Sequence, residues 1–180
     1  MGDKIMSQFN IIDHNIQIAG FDAEINNLTE LMDLIKIISA GNQCEGCVIQ
    51  LLKSDGIAGE KHVLQAISQA LMAFNRNNNM AQDLGLEICV RASAQRQISR
   101  ALKILGIKEG KIGICAVAVD CDENIMYELG KILGEKNNKM LNANVDVLKK
   151  LYNISDEEIK SAGNVERVLI ERTALLNLEI

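Results

Sequence analysis

At 180 residues with a hydrophobic fraction of 48%, the chain can bury a sizeable core and fits one domain of ordinary size. Its net charge of −5 excludes a protein that coats nucleic acid non-specifically, but leaves room for a local basic patch. With three Phe, two Tyr, no Trp and no Pro, the core must be aliphatic and the turns must rely on Gly, Asn, Asp and Ser.

Phe9–Ile12 and Ile16–Ala19 read as strands on either side of an Asp13-His14-Asn15 turn. Asn27 followed by Glu30 has the form of a helix N-cap, and Leu28–Ile38 has helical periodicity. Cys47–Leu52 is a short apolar strand, and Ser54–Gly59 a glycine-containing loop. Glu60 to about Arg76 reads as a helix with Val63, Leu64, Ile67, Ala70, Leu71 and Phe74 on its apolar side. Leu84–Val90 reads as a strand, and Ser93–Leu105 as a helix stopped by Gly106. Ile112–Val119 is almost wholly apolar, which places it centrally in a sheet. A helix follows from Asp122 to Leu133, then Asn144–Tyr152, Ser155–Ala162 and Asn164–Leu178, with Ser155 and Glu158 forming a capping box. The expected fold is mixed α/β: a single domain with a central mixed sheet flanked by helices, and a helical C-terminal third.

The five cysteines are an odd number, and no apolar run approaches the roughly 20 residues of a membrane span. The first twenty residues lack the apolar core of a secretory leader. The expectation is a cytoplasmic protein with reduced thiols and no membrane partner. Cys44-Glu45-Gly46-Cys47 is a lone C-x-x-C, compatible with redox or metal chemistry, or with two small apolar residues at a strand entrance. Asp120, Asp122 and Glu123 cluster after the central strand, where acids can be catalytic or cap the next helix. Ser54–Lys61 has two glycines before a helix but lacks the Gly-Lys-Ser/Thr ending of a phosphate loop. No G-x-S-x-G elbow or Cys–His pairing is evident.

The stretch Glu87–Gly106 (EICVRASAQRQISRALKILG) carries the most chemistry. Arg91, Ser93, Gln95, Arg96, Gln97 and Arg100 crowd one junction, with Lys103, Lys108 and Lys111 nearby against one acid, Glu109. Guanidinium and amide groups at a helix N-terminus suit phosphates and base edges. The same residues also suit a solvated helix face whose arginines cover core edges.

Three segments in order resemble one family: Lys61–Ala70 (KHVLQAISQA), the Glu87–Gly106 stretch with its VRASxQRQI pattern, and Gly163–Leu169 (GNVERVL). They resemble the CGI-121 family, from about Val48 to the C-terminus and more loosely in the N-terminal hairpin. The resemblance implies a single CGI-121-like domain over residues 1–180, acting as a non-catalytic subunit of the KEOPS complex. That complex makes threonylcarbamoyladenosine next to the anticodon of tRNAs reading ANN codons. The implied direct partners are a Bud-type kinase-like ATPase subunit, to be bound and activated, and tRNA, captured by its single-stranded 3′ CCA end. A Kae-type threonylcarbamoyl transferase subunit is the implied indirect partner, and no cofactor or metal is implied. An interaction regulator of the kinase-like subunit that does not touch RNA is the alternative.

Carried onto this chain, Arg91, Ser93, Gln95, Arg96 and Gln97 match the archaeal pattern, and Lys61 and His62 match the basic pair opening the preceding helix. With Arg100 added from the chemistry of the junction, these are the expected tRNA-binding residues. A single-stranded end is held by stacking, phosphate contacts and base-edge hydrogen bonds. With so few aromatics, arginine planes and aliphatic side chains would have to stack. Ala94 stands where archaeal members usually have glycine, and Cys44 and Cys47 lie outside the family pattern. The helix faces around the Arg91 junction and the C-terminal helix are the candidate kinase contacts.

Overall fold

The structure is a computed structural model that describes residues 7–178. Two antiparallel strands open it, β1 (Ser7–Ile11) and β2 (His14–Ile25). The turn between them is Ile12-Asp13, with φ of +50° and +64°, as a two-residue type I′ turn requires. His14 and Asn15, expected in the turn, pair within the ladder instead, opposite Ile11 and Asn10. Asp120 holds that end: its carboxylate lies 2.6 Å from His14 Nδ1 and accepts the Asn15 N–H.

β2 runs well past the expected end at Ala19. Gly20 lies inside the strand because a Cβ there would strike the carbonyl of Asn137, whose N–H donates to Gly20. Helix α1 (Leu28–Ala40) starts at Asn27, whose side chain accepts from Glu30 N, as the sequence indicates. β3 (Val48–Lys53), α2 (Glu60–Asn75), α3 (Leu84–Ala92), α4 (Ile98–Leu105) and β4 (Gly110–Val119) follow. α5 (Ile125–Leu133), α6 (Val145–Tyr152), α7 (Asp156–Ala162) and α8 (Val165–Leu175) complete a mixed α/β chain with a helical C-terminal part. The four strands lie in the order β1-β2-β4-β3, and β2 pairs antiparallel with β4. β4 is interior, and its residues from Ile114 to Val119 are all buried, which explains its unbroken apolar run.

The chain divides into two compact units, residues 7–52 with 107–140, and residues 53–106 with 141–178. In the first, the cross-strand pairs Ala19–Ala116, Phe21–Ile114 and Ala23–Ile112 present one apolar face of the sheet. Leu31 and Ile35 of α1 and Ile125, Leu129 and Leu133 of α5 join the same core. Each such side chain, fully buried, stabilises by about 1.5–3 kcal/mol. Cys47, before β3, and Cys121, after β4, form a disulfide. This corrects the expectation of reduced thiols: adjacency of β3 and β4 brings Cys47 to Cys121, and Cys44 stays exposed.

In the second unit, Leu148 and Tyr152 of α6, Ile154, and Val165, Val168 and Leu169 of α8 form a core with Ala58. The segment read as a strand, Leu84–Val90, is helical. Asp83 caps it by accepting from Leu86 N at 2.8 Å. Seven of its nine residues are buried, Glu87 and Arg91 included. Without a polar face its helical period is hidden, so it reads as an apolar run. The helix expected over Ser93–Leu105 starts later, at Ile98, after a turn that contains most of the candidate site. The Ser155 cap holds as expected, with its side chain accepting from Glu158 N.

Candidate nucleic-acid interface

The junction is a helix–turn–helix corner, so Ser93 does not cap a following helix. It is the C-cap of α3, fully buried, and its hydroxyl donates to Val90 O at 2.8 Å. Ala94 N–H donates to Arg91 O and Gln95 N–H to Val90 O, the two bonds of a Schellman motif. That motif places Ala94 in the left-handed region, at φ +51°. Glycine is favoured there because a Cβ crowds the neighbouring carbonyl. Ala94→Gly is therefore expected to raise stability by about 1 kcal/mol in urea unfolding. A drop would mean that the turn does not adopt this conformation in solution.

Beyond this turn the chain exposes its polar groups. Ala94, Gln95, Arg96, Gln97 and Arg100, with Leu176 from the end of α8, line a surface cleft of about 310 Å³. Arg96, Gln97 and Arg100 are exposed, and Arg96 donates to the Leu176 carbonyl at 3.4 Å. The cleft lies at the positive end of α4, whose N-cap position, Gln97, makes no side-chain cap. Two guanidiniums, two amides and one aliphatic side chain suit a short anionic strand: charge for phosphates, amides for base edges, flat or apolar surfaces for stacking.

The other expected residues lie elsewhere. Arg91 is completely buried. Its Nε donates to Glu87 Oε1 at 2.7 Å and its Nη1 to Asn177 Oδ1 at 2.6 Å. Its backbone carbonyl accepts from the Thr173 hydroxyl, so it ties α3 to α8 beneath the turn. Glu87 is equally buried, and its second oxygen accepts the N–H groups of Met80 and Ala81. The sequence already held this pair at i, i+4 spacing, a signal lost when the segment is read as a strand. Leu176, Thr173 and Asn177 had no local signal at all.

His62 is also completely buried. Its Nδ1 accepts from Ala58 N and its Nε2 donates to Ala92 O at 2.8 Å, holding α2 against the end of α3. Burial lowers its pKa to about 4, against the backbone bond to Ala92, which acts the other way. The unfolded chain therefore takes up a proton that the folded chain refuses as pH falls below about 6.5. His62 is expected to cost the fold about 3 kcal/mol between pH 6.5 and pH 4, measured as unfolding free energy against pH. His62→Gln should flatten that slope; an unchanged slope would contradict the assignment. Lys61 is exposed at the start of α2, outside the cleft lining.

The remaining chemical candidates are occupied by structure. The Ser54–Gly59 loop is no open phosphate cradle: Tyr152 donates its hydroxyl to Gly56 O at 2.7 Å, and Glu166 sits against Gly59. Asp122 accepts from Asn124 N and from the Asn42 side chain. Burial pushes the Cys89 thiol up to about 12, away from nucleophilic use. Among the described residues no group of three or more His, Cys, Asp or Glu could hold a metal ion. No helix there is long and apolar enough to cross a membrane.

Two comparisons bear on this geometry. Residues 23–177 match the family model described as "Kinase binding protein CGI-121". The chain is also 38% identical over 136 residues to "Regulatory protein Cgi121" of Methanocaldococcus jannaschii, covering 74% of this chain and 86% of that protein.

Proposed function

We propose that this chain, which belongs to the CGI-121 family, is a non-catalytic cytoplasmic subunit of the KEOPS complex that binds a kinase-like ATPase subunit and captures tRNA by its single-stranded 3′ end. Kinase binding follows the family description, and the regulatory role follows the name of the archaeal relative. The observation that carries the RNA part is the cleft at the α3–α4 turn, with Arg96 and Arg100 exposed and Gln95 and Gln97 in the same lining. A chain of net charge −5 keeps cationic groups at that corner, where a phosphate chain could be held without general affinity for nucleic acid.

The division of labour differs from the sequence expectation. Gln95, Arg96, Gln97 and Arg100 would touch the RNA. Arg91, Ser93 and His62, being fully buried, would shape the turn that presents them. The complex's transfer chemistry would belong to other subunits, the Bud-type kinase-like ATPase and the Kae-type transferase.

The test is tRNA binding against ionic strength. Arg100→Ala should weaken binding and make the salt slope shallower by about 0.7, one phosphate contact on a single strand. A slope identical to wild type would remove Arg100 from the RNA contact. A chain that binds the kinase-like subunit but no tRNA would instead favour the regulator that acts without RNA.

A further inference from the structure

We infer that the apolar pocket on α5 docks an aromatic or aliphatic side chain from an acidic segment of the kinase-like partner. The inference rests on the kinase-binding reading and assigns that binding a surface. The pocket encloses about 540 Å³, within the size of a site that accepts a large side chain. Buried Phe21 and Met126 line it, with Tyr127, Gly130, Lys131 and Lys136 around them and Glu123 at the lining's one acid.

Two features set it apart from an ordinary gap between side chains. Gly130 lies inside α5, where glycine lowers helix stability relative to alanine. A Cβ at Gly130 would meet only the Phe21 ring, at an ordinary 3.6 Å, so the fold itself does not require glycine there. With no side chain at Gly130, the pocket is lined at that point by the fully buried Phe21. Tyr127 is 69% exposed, yet its ring is steadied by the Lys131 ammonium 4.6 Å from its centre. A large amphipathic side chain that loses little freedom on contact is the usual anchor of a protein interface.

Charge selects the occupant. Lys136 has no acidic partner among the described residues, and partial burial lowers its pKa. A carboxylate arriving beside an apolar anchor would restore the stabilisation this ammonium loses by desolvation. An RNA strand would want a row of cations and flat surfaces, as at the α3–α4 turn, rather than an apolar cavity with Lys136 and a Lys131 already paired to Glu128 at 2.8 Å. A second copy of this chain would bring two such lysine rims together across a twofold axis. An acidic protein segment with an apolar anchor suits both the lining and the charge.

The experiment measures affinity of the purified full chain for its cognate kinase-like subunit by titration calorimetry, with Gly130→Leu to fill the pocket and Lys136→Glu to reverse its charge. Both variants should unfold at or near the wild-type midpoint and bind tRNA within twofold of wild type. Each should bind the kinase-like subunit at least tenfold more weakly, and Lys136→Glu should lose the salt dependence of that binding. Wild-type binding with both variants equally tight would overturn the pocket and leave kinase binding standing. Absence of binding by the wild-type chain would overturn the kinase-binding reading itself. Variants that change only self-association, with kinase affinity intact, would assign the pocket to a second copy and overturn the inference.

Discussion

Glu87→Ala is expected to lower the stability of the chain by about 3–5 kcal/mol, read from urea unfolding. The carboxylate lies at zero exposure, and each of its oxygens is used: one accepts from Arg91 Nε and the other from Met80 N and Ala81 N, all at 2.7 Å. Removing it leaves a guanidinium buried without its counter-charge and two backbone N–H groups without their acceptor. Against a typical total of about 5–15 kcal/mol, that loss would remove from about a fifth to nearly all of the stability. Glu87→Leu combined with Arg91→Met should recover the part of the loss due to the unpaired guanidinium, but not the part due to the Met80 and Ala81 N–H groups. If Glu87→Ala costs less than about 1 kcal/mol, the pair is solvated in solution and the corner is not built as described.

The second large effect concerns the disulfide. Cys47 and Cys121 are separated by 74 residues in sequence, and closing a loop of that length restricts the unfolded chain. The chain-entropy relation gives about 4 kcal/mol at room temperature. Cys121→Ser, or wild type in excess dithiothreitol, should therefore unfold at a clearly lower urea concentration. Thiol titration of the denatured, unreduced protein should count two fewer thiols than its five cysteines. All five titrating, with an unchanged midpoint, would show that the bridge does not form.

What was legible in the sequence was local. Asn27 and Ser155 announced their helices because a capping side chain bonds an N–H three residues on. α2 showed its face because a polar side alternates with it, and β4 showed its place because an interior strand has no polar side. What was not legible depends on distant residues. Gly20 looked like a strand end, and its reason, the Asn137 carbonyl, lies far along the chain. Cys47 looked like half of a C-x-x-C, since nothing local places β3 beside β4.

The candidate site divides along the same line. Gln95, Arg96, Gln97 and Arg100 could be picked out by residue type, because exposed cations and amides at a turn keep their solution chemistry. Arg91 was not sorted from them, because its i, i+4 partner Glu87 is a signal only in a helix and its other partners, Asn177 and Thr173, lie far along the chain. Ala94 was noticed only as a departure from the family pattern. Its positive φ supplies a physical reason for glycine to suit that position: the turn needs that conformation whatever it binds.

The most direct measurement is the affinity of the chain for tRNA with an intact 3′ end and for the same tRNA with its CCA nucleotides removed, each tested with wild type and with Arg96→Glu/Arg100→Glu. Wild type should bind intact tRNA at least tenfold more tightly than trimmed tRNA, and the double variant should lose this preference without loss of fold. Equal binding of both tRNAs by wild type, or a preference kept by the double variant, would contradict a tail-binding cleft at the α3–α4 turn.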